Sequence, residues 1–306
     1  MNPAAHPRVV ALVGPTAAGK SAVAQRVAGR LGAEIVAVDA FTIYRGMDIG
    51  TDTPTAAQRA AIPHHLVNAL EPEQGCSAQW FQGRAREAIA AVVGRGRHAL
   101  LVGGSGLYFR AVVDPLEFPP TDTAVRADLD ARYPDAPAAF AALRAVDPLA
   151  AMRMDPANHR RAIRALEVYE VTGRPFSDWR RCWERFESVF PRLEVVGLDV
   201  ARATLWERIA ARVDAMLAEG FVDEAAALRG RRLSRTATAA IGYAELWEYL
   251  DGRTTLDEAR ERIIVRTRRY AARQQRWFAR DPRVRWMQSM KAVEAHLMSL
   301  GGATTR

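Results

Sequence analysis

Residues Gly14 to Ser21 are the segment of this chain with the clearest chemical meaning. They read G-P-T-A-A-G-K-S and fit the phosphate-binding pattern G-x-x-x-x-G-K-[ST]. Glycines let successive backbone N–H groups close around phosphate oxygens, and the N-terminus of the following helix adds partial positive charge. Lys20 would then reach the outer phosphate, and the Ser21 hydroxyl would hold Mg²⁺. The segment therefore predicts a site that binds a phosphate chain.

Two further segments bring polar groups toward the same site. Asp39 ends the apolar run EIVAVD, where open α/β sheets bind their ligands, and it could accept a proton or coordinate Mg²⁺ through water. The turn from Gly103 to Gly106 follows another apolar run and offers Ser105 as a hydrogen-bond donor. Each segment also has a structural interpretation, because an Asp can order the turn after it and a glycine-rich turn can serve only as a turn.

The elements that position these residues follow from the hydrophobic pattern. Strand-like runs occur at 8–13, 34–39 and 98–102, with helical patterns at 20–31 and 78–93. This alternation predicts the α/β class, with a P-loop NTPase-like core in which helices cover a parallel sheet. A proline-rich and then helical stretch begins near Thr121, a strand pattern returns at 193–200, and a last short strand is predicted at 284–287. We therefore predict a core of residues 1–120 and 191–306 and an inserted all-helical domain of residues 121–190.

Composition and charge narrow the possible functions. The 306 residues are 49% hydrophobic and 25% charged, which is typical of a globular protein. No N-terminal leader pattern or membrane-spanning apolar run is found, so we expect a soluble, cytoplasmic protein. Cys76 and Cys182 lack the spacing of a zinc site. The net charge is +8, and all but two of the 43 basic residues are arginine, whose planar guanidinium suits phosphate recognition.

One stretch concentrates this charge. Ten arginines and only two acids lie between Arg260 and Arg285. Six of the arginines recur at helical spacing and form what we call the arginine stripe: Arg262, Arg266, Arg269, Arg273, Arg276 and Arg280. A helix face of one charge, without acids one turn away, favours a polyanionic partner. The alternative is a solvated face in an arginine-rich protein.

Several of these segments, taken in order, resemble the tRNA dimethylallyltransferases, also called tRNA isopentenyltransferases. The first three are GPTAAGKS, DAFTIYRGMDIGT from Asp39 and GGSGLYFRA from Gly103. Four more follow: RRAIRALEVYEVTGRP from Arg160, LWERIAARVDAMLAEGF from Leu205, AIGYAELWEYL from Ala240 and TRRYAARQQRWF from Thr267. The resemblance covers nearly the whole chain, and the lack of a following zinc finger makes the bacterial type the better match.

The resemblance implies a Mg²⁺-dependent transfer of the dimethylallyl group from dimethylallyl diphosphate to N6 of the adenosine 3′ of the anticodon in tRNA. It implies that the inserted domain, residues 121–190, binds the anticodon stem-loop, and we expect the protein to be a monomer. The implied catalytic residues are Asp39, Ser105 and Lys20, with Ser21 holding the metal. The implied diphosphate-binding residues are Gly14, Pro15, Thr16, Ala17, Ala18, Gly19, Lys20, Ser21, Arg266 and Arg273. The implied tRNA-binding residues are Asp39, Ala40, Phe41, Thr42, Ser105, Arg126, Arg160, Arg161, Arg164, Ile241, Gly242 and Tyr243.

Two positions depart from the residues that this family usually carries. Ala40 follows Asp39 where Ser is usual, and Ala272 stands where Lys is usual. We expect these changes to affect substrate affinity and to leave the type of reaction unchanged.

Other functions remain open on the residues alone. A small-molecule P-loop kinase would use ATP, and Asp199 at the end of a later strand pattern is compatible with it, although the third strand ends in glycines where many NTPases carry an acid. A non-catalytic RNA-binding protein would bind tRNA in a salt-dependent way without forming product. Prenylation of free AMP is a further variant, and the large insertion and the arginine stripe argue against it.

Overall fold

A six-stranded, fully parallel sheet organises the computed structural model of this protein, which describes residues 8–179 and 181–301. The strand order is β3-β2-β4-β1-β5-β6, so β1 lies inside the sheet between β4 and β5. The strands are β1 (Val9–Val13), β2 (Ala33–Val38), β3 (His64–His65), β4 (His98–Gly103), β5 (Glu194–Leu198) and β6 (Val284–Met287).

The register of the sheet brings three chain segments to one edge. Val13 at the end of β1 is paired with Gly103 of β4, and Gly103 is paired with Val38 at the end of β2. Because the strands are parallel, the segments that leave their carboxyl ends emerge side by side, as ligand-binding edges of such sheets do. The Gly14–Ser21 loop, Asp39 and the Gly104 turn are therefore neighbours.

Helices follow or cover these strands. The helices of the N-terminal part are α1 (Lys20–Leu31), α2 (Ala56–Ala61), α3 (Ala78–Gly94) and α4 (Gly106–Val113). The middle part contains α5 (Thr123–Arg132), α6 (Ala136–Val146), α7 (Pro148–Met152), α8 (His159–Thr172), α9 (Phe176–Trp179) and a 3-10 turn (Arg181–Glu184). The C-terminal part contains α10 (Arg202–Ala218), α11 (Phe221–Leu228), α12 (Arg235–Thr238), α13 (Tyr243–Leu250), α14 (Leu256–Phe278) and α15 (Met290–Gly301).

The sheet has a hydrophobic core on each face, because successive strand residues point to opposite sides. Ala11 and Val13 of β1 pack with residues of α3, α4, α10, α11, α13 and α14. Val10 and Leu12 pack on the other face with residues of α1 and α15. Both faces are covered, which explains why the strands read as continuous apolar runs and do not alternate.

The chain divides into two compact units. One unit comprises residues 1–113 and 188–306, and the other is the helical unit of residues 114–187. The helical unit has its own core, in which Leu129, Phe140, Leu143 and Leu166 are buried together. The predicted insertion, residues 121–190, overlaps this unit, and its role in binding RNA stays a prediction.

The predicted α/β class, with a parallel sheet and a helical insertion, is confirmed. Each predicted strand and the helices at 20–31 and 78–93 are found with ends that differ by at most two residues. β3 was not predicted, because it consists of only His64 and His65, paired with Ile35 and Val36. Within the described residues, no helix is both long and apolar enough to cross a membrane.

Candidate active site

The Gly14–Ser21 loop connects β1 to α1 and has the backbone of a phosphate-binding loop. Gly14 and Gly19 have φ angles of 140° and 100°, and Ala17 also has positive φ, at 61°. Gly19 precedes the first residue of α1, and no side chain caps its N–H groups. The positive end of α1 is therefore directed at the loop, where an anion is stabilised.

Lys20 lies inside this loop and is only 9% exposed. Its Nζ donates a hydrogen bond to the carbonyl oxygen of Pro15 at 2.6 Å. Burial lowers the pKa of Lys20 to about 8, although attraction to the Asp39 carboxylate opposes this shift. The lysine is therefore a positive group whose charge depends on pH near neutrality.

Asp39 comes directly after β2 and is half-buried. Its Oδ1 accepts hydrogen bonds from the backbone N–H groups of Phe41 at 2.8 Å and Thr42 at 3.4 Å. These bonds fix the orientation of the carboxylate. No hydrogen bond to Oδ2 is found among the described residues, so it is the oxygen that can accept a proton.

Gln274 of α14 joins the two glycine-rich segments. Its Oε1 accepts the backbone N–H of Thr16 at 2.8 Å, and its Nε2 donates to the carbonyl oxygen of Gly104 at 2.9 Å. A Cβ at position 104 would lie 2.2 Å from Nε2 of Gln274 and 3.0 Å from the Gly14 oxygen, so only glycine fits there. The amide thus holds the phosphate loop against the turn after β4.

Two arginines of α10 complete the polar end of the site. Arg208 donates to the carbonyl oxygen of Ala18 at 3.2 Å. Arg212 donates to Oγ1 of Thr16 at 3.0 Å and pairs with Asp52 at 3.3 Å. Both side chains are half-buried beside Lys20, so three basic groups surround the phosphate loop. Both arginines lie in the segment that begins at Leu205, and no role was predicted for either from the sequence.

Most of these groups border one cavity of about 380 Å³, to which the phosphate loop contributes Thr16, Ala17, Gly19, Lys20 and Ser21 but not Gly14, Pro15 or Ala18. Its polar end contains the phosphate loop, Asp39, Asp52, Arg208 and Arg212. Its apolar wall is formed by Phe41, Ile209, Val213, Met216, Phe221, Ala240, Ile241 and Ile263. Tyr270, whose pKa is raised mainly by burial, also lines the cavity, and the centroid of its ring is 6.4 Å from that of Phe41. A ligand with a charged head and a short hydrocarbon tail matches this division.

The predicted catalytic and diphosphate-binding residues are not all at this cavity. Gly104 borders it, whereas Ser105 is outside the lining and uses its backbone N–H to contact the Val38 oxygen at 3.4 Å. Arg266 pairs with Glu245 of α13, and the exposed Arg273 lies over the ring of Tyr270 at 5.7 Å. In this structure neither arginine lines the cavity, so their predicted contact with diphosphate stays a prediction.

The predicted tRNA-binding residues of the core fall into two groups. Phe41, Thr42 and Ile241 line the cavity, and Oγ1 of Thr42 is buried without a hydrogen-bond partner among the described atoms. Ala40 is half-buried, and Gly242 donates its N–H to Glu245 at 3.0 Å. Tyr243 is fully buried and donates its hydroxyl to Glu224 at 2.8 Å. Tyr243 is therefore a packing residue in this structure and presents no surface to RNA.

The predicted arginines of the helical unit also differ from one another. Arg126 and Arg164 both pair with the fully buried Glu167, at 2.6 Å and 2.9 Å. A buried carboxylate needs such partners, so these two arginines stabilise the unit itself. Arg160 and Arg161 are exposed at the start of α8. Only these two present most of their side chain to solvent.

The arginine stripe has carboxylate partners that the sequence analysis did not expect. Arg262 pairs with Glu248 and Arg266 with Glu245, because α13 packs beside α14. The sequence pattern considered only acids one turn away on the same helix, and these two carboxylates come from the neighbouring helix α13. Arg269, Arg273, Arg276 and Arg280 are exposed, and no ion pair to them is found in the described part of the chain. The part of the stripe without ion pairs among the described residues is therefore its last four members.

The fold and the site define a P-loop protein whose phosphate site adjoins an apolar cavity. Comparison with known families identifies the group to which it belongs. The model of the IPP transferase family matches residues 42–281, and that of the isopentenyl transferases matches residues 7–65. The chain therefore belongs to the IPP transferase family.

Individual relatives are similar over most of their length. A tRNA dimethylallyltransferase of a Nocardioides species is 50% identical over 285 residues, covering 91% of this chain and 90% of that protein. One from Streptomyces coelicolor is 47% identical, covering 96% and 94%. The alternative of a P-loop kinase finds no support among these relatives.

Solved structures agree with this assignment. The full-length tRNA isopentenylpyrophosphate transferase of Bacillus halodurans has a TM-score of 0.69 and 36% identity, and 96% of each chain is covered. A eukaryotic dimethylallyltransferase acting on tRNA has a TM-score of 0.80 at 23% identity, covering 93% of this chain and 75% of that chain. At that identity the second comparison supports the fold alone.

Proposed function

We propose that this protein transfers the dimethylallyl group from dimethylallyl diphosphate to N6 of the adenosine 3′ of the anticodon in tRNA and releases diphosphate. The observation that carries the proposal is the single cavity in which a phosphate loop, an oriented carboxylate and an apolar wall adjoin. The names of the relatives support tRNA as the acceptor.

The donor would bind with its diphosphate in the Gly14–Ser21 loop and its hydrocarbon chain against the apolar wall. The N–H groups at the start of α1 and the charges of Lys20, Arg208 and Arg212 would stabilise the negative charge that grows as the diphosphate leaves. The apolar wall, with Ile209 and Met216, would exclude water from the reacting carbon. This arrangement favours transfer to the acceptor over hydrolysis.

Asp39 would act as the base that accepts a proton from the acceptor nitrogen. N6 forms a bond to the first carbon of the dimethylallyl group while the carbon–oxygen bond to diphosphate breaks, and N6 then gives up a proton. Oδ2 of Asp39 is the acceptor proposed for that proton, since Oδ1 is held by two backbone N–H groups. The adenosine has to leave its stack in the anticodon loop to reach this depth.

The residues at the polar end suit Mg²⁺, which prefers oxygen ligands and is held largely by substrate phosphates and water. The Ser21 hydroxyl and the Asp39 and Asp52 carboxylates border the same cavity. The described residues contain no group of three His, Cys, Asp or Glu side chains that could hold a metal, so the diphosphate itself has to supply ligands. When bound, Mg²⁺ offsets charge on the leaving diphosphate.

The exposed arginines of α14 and of α8 are the groups proposed to contact the tRNA backbone. We propose that the protein acts as a monomer in the cytoplasm. Phe41 and the unpartnered Thr42 hydroxyl border the place where the base would enter, and either can contact its ring or edge.

The proposal is tested by transfer of radiolabel from dimethylallyl diphosphate to unmodified tRNA, with Mg²⁺ or with EDTA. We expect label at one adenosine with Mg²⁺ only. Asp39→Asn should lower kcat by roughly 10²- to 10⁴-fold, the usual contribution of a general base, and should bind tRNA within about twofold of the wild type. Asp223→Asn, at an exposed position of α11, is the matched control.

Absence of label in tRNA, together with hydrolysis of ATP or phosphoryl transfer from it, would overturn the proposed function. A wild-type rate in Asp39→Asn would leave the reaction in place and remove Asp39 as its base.

A further inference from the structure

Glu224 of α11 holds three consecutive backbone N–H groups of a distant loop. Its Oε2 accepts from Asp48 at 2.7 Å and from Ile49 at 2.8 Å, and its Oε1 accepts from Gly50 at 2.9 Å. The hydroxyl of Tyr243 donates to the same Oε1 at 2.8 Å. Four donors thus converge on one carboxylate, an arrangement that fixes the loop much as a nest of N–H groups fixes a bound anion.

The loop packs closely against two aromatic side chains near this carboxylate. A Cβ at position 50 would lie 2.2 Å from the ring of Phe221 and 2.8 Å from the Tyr243 hydroxyl. The rings of Phe221 and Tyr243 meet edge to face, with centroids 5.1 Å apart. The loop backbone therefore rests on an aromatic pair while the carboxylate holds its N–H groups.

The other side of this loop borders the cavity. Gly50, Thr51 and Asp52 line it, whereas Glu224 does not. Asp52 pairs with Arg212 at 3.3 Å, and Arg212 donates to Thr16 of the phosphate loop at 3.0 Å. A chain of contacts therefore runs from Glu224 through the loop and Asp52 to the phosphate end of the cavity.

We infer that Glu224 is a positioning residue for the diphosphate end of the site. It fixes residues 48–50 and thereby sets where Asp52 holds the guanidinium of Arg212, without touching the substrate itself. The identity of the ligand in this inference rests on the proposed function. Glu224→Gln is the sharpest variant, because it keeps the side-chain volume but removes the charge and turns one acceptor into an N–H donor facing a backbone N–H.

The test uses inorganic pyrophosphate with Mg²⁺ and measures Kd by titration calorimetry. We expect Glu224→Gln to raise Kd roughly tenfold, the scale of one lost hydrogen bond to a charged group. The KM for dimethylallyl diphosphate should rise in parallel, with kcat changed by about twofold or less. Glu219→Gln, at an exposed position after α10, removes the same charge and should leave Kd unchanged. A role in stability alone would lower Tm and leave the pyrophosphate Kd of the folded protein at the wild-type value, which would overturn the inference.

A double-mutant cycle with Asp52→Asn tests the path of contacts. If Glu224 acts through Asp52, the double variant weakens pyrophosphate binding no more than the stronger single variant does. Multiplied effects would overturn the inference. Should Glu224→Gln fail to fold, Tyr243→Phe removes one donor to the carboxylate and should raise Kd by roughly twofold to threefold, whereas an unchanged Kd counts against the inference. A wild-type protein that forms no prenylated tRNA, while the variants still differ in pyrophosphate Kd, would overturn the proposed function and support the role of Glu224.

Discussion

The arginines of α10 and those of α14 have the same spacing along a helix but opposite surroundings. Arg208 and Arg212 are four residues apart, half-buried, and bonded to the phosphate loop. Arg269, Arg273 and Arg276 are four and three residues apart and exposed. The first group encloses a small site, and the second forms an open surface.

This difference teaches that periodicity alone cannot distinguish a ligand-binding arginine from a surface one. What distinguishes them is what each arginine faces: the phosphate loop for Arg208 and Arg212 of α10, and solvent for the exposed arginines of α14. A half-buried guanidinium is little screened by water and salt, so it binds a small anion strongly. Exposed guanidiniums act together on an extended polyanion and are sensitive to salt.

Removing a charge from the half-buried pair, Arg208 and Arg212, should weaken ligand binding most. Arg212→Gln removes a charge next to Thr16 and leaves Asp52 without its partner. We expect pyrophosphate binding to weaken roughly 30- to 100-fold, on the scale of about 2–3 kcal/mol for a hydrogen bond to a charged group. Calorimetry with Mg²⁺ and pyrophosphate measures this, and filter binding should give a tRNA Kd within about twofold of the wild type. Equal losses for both ligands would erase the distinction between the two arginine groups.

Breaking the exposed group should produce a smaller and salt-dependent effect. The double variant Arg269→Gln with Arg276→Gln is expected to weaken tRNA binding roughly tenfold at about 0.1 M salt. The slope of log K against log salt should fall by about 1.4, for two phosphate contacts at about 0.7 each. Pyrophosphate binding should not change, because neither side chain borders the cavity.

The matched control for the exposed group is Arg260→Gln with Arg262→Gln. Both arginines lie on α14, but they are already paired with Asp214 and Glu248. The same loss of charge should therefore change the tRNA Kd by about twofold or less. If the control loses as much tRNA affinity as the first pair, net charge governs tRNA binding, and the exposed arginines of the stripe have no special role.

The smallest expected effect is the pH dependence of pyrophosphate binding at the buried site. Lys20 has a pKa lowered to about 8 by burial, and a bound diphosphate needs the protonated amine. Full affinity is thus present below pH 8 and is lost as pH rises through it, by about twofold between pH 7 and pH 8. Calorimetry of pyrophosphate at pH 8.5 in two buffers of different ionisation enthalpy should detect proton uptake that Lys20→Met lacks. Identical proton uptake in both proteins would show that Lys20 enters the complex already charged.

Much of the fold followed from local patterns. The run Val9–Val13 is continuously apolar and is followed by a glycine-rich turn, so a buried strand and the helix from Lys20 were predictable. β3 was not, because two residues show no periodicity. The partners of the arginine stripe were not predictable either, since Glu245 and Glu248 belong to another helix whose position depends on tertiary packing.

The residues of the candidate site were likewise predictable only in part. The phosphate loop and Asp39 could be found from motif and strand-end position, because their chemistry is local in sequence. Gln274, Arg212 and Glu224 could not, since each acts on a segment more than 170 residues away in the chain. Tyr243 is fully buried in this structure, which its motif did not indicate, and its predicted contact with RNA stays a prediction.

The bond between Gln274 and Thr16 has a consequence for biosynthesis. These residues are 258 positions apart, so the phosphate loop emerges from the ribosome long before the side chain that braces it. β1 likewise pairs with β4 and β5, both of which are synthesised later. Nascent chains that stop short of α14 therefore lack the brace between the loop and the turn after β4. The proposed diphosphate site is therefore completed late in translation, when the helix that carries Gln274 has been made.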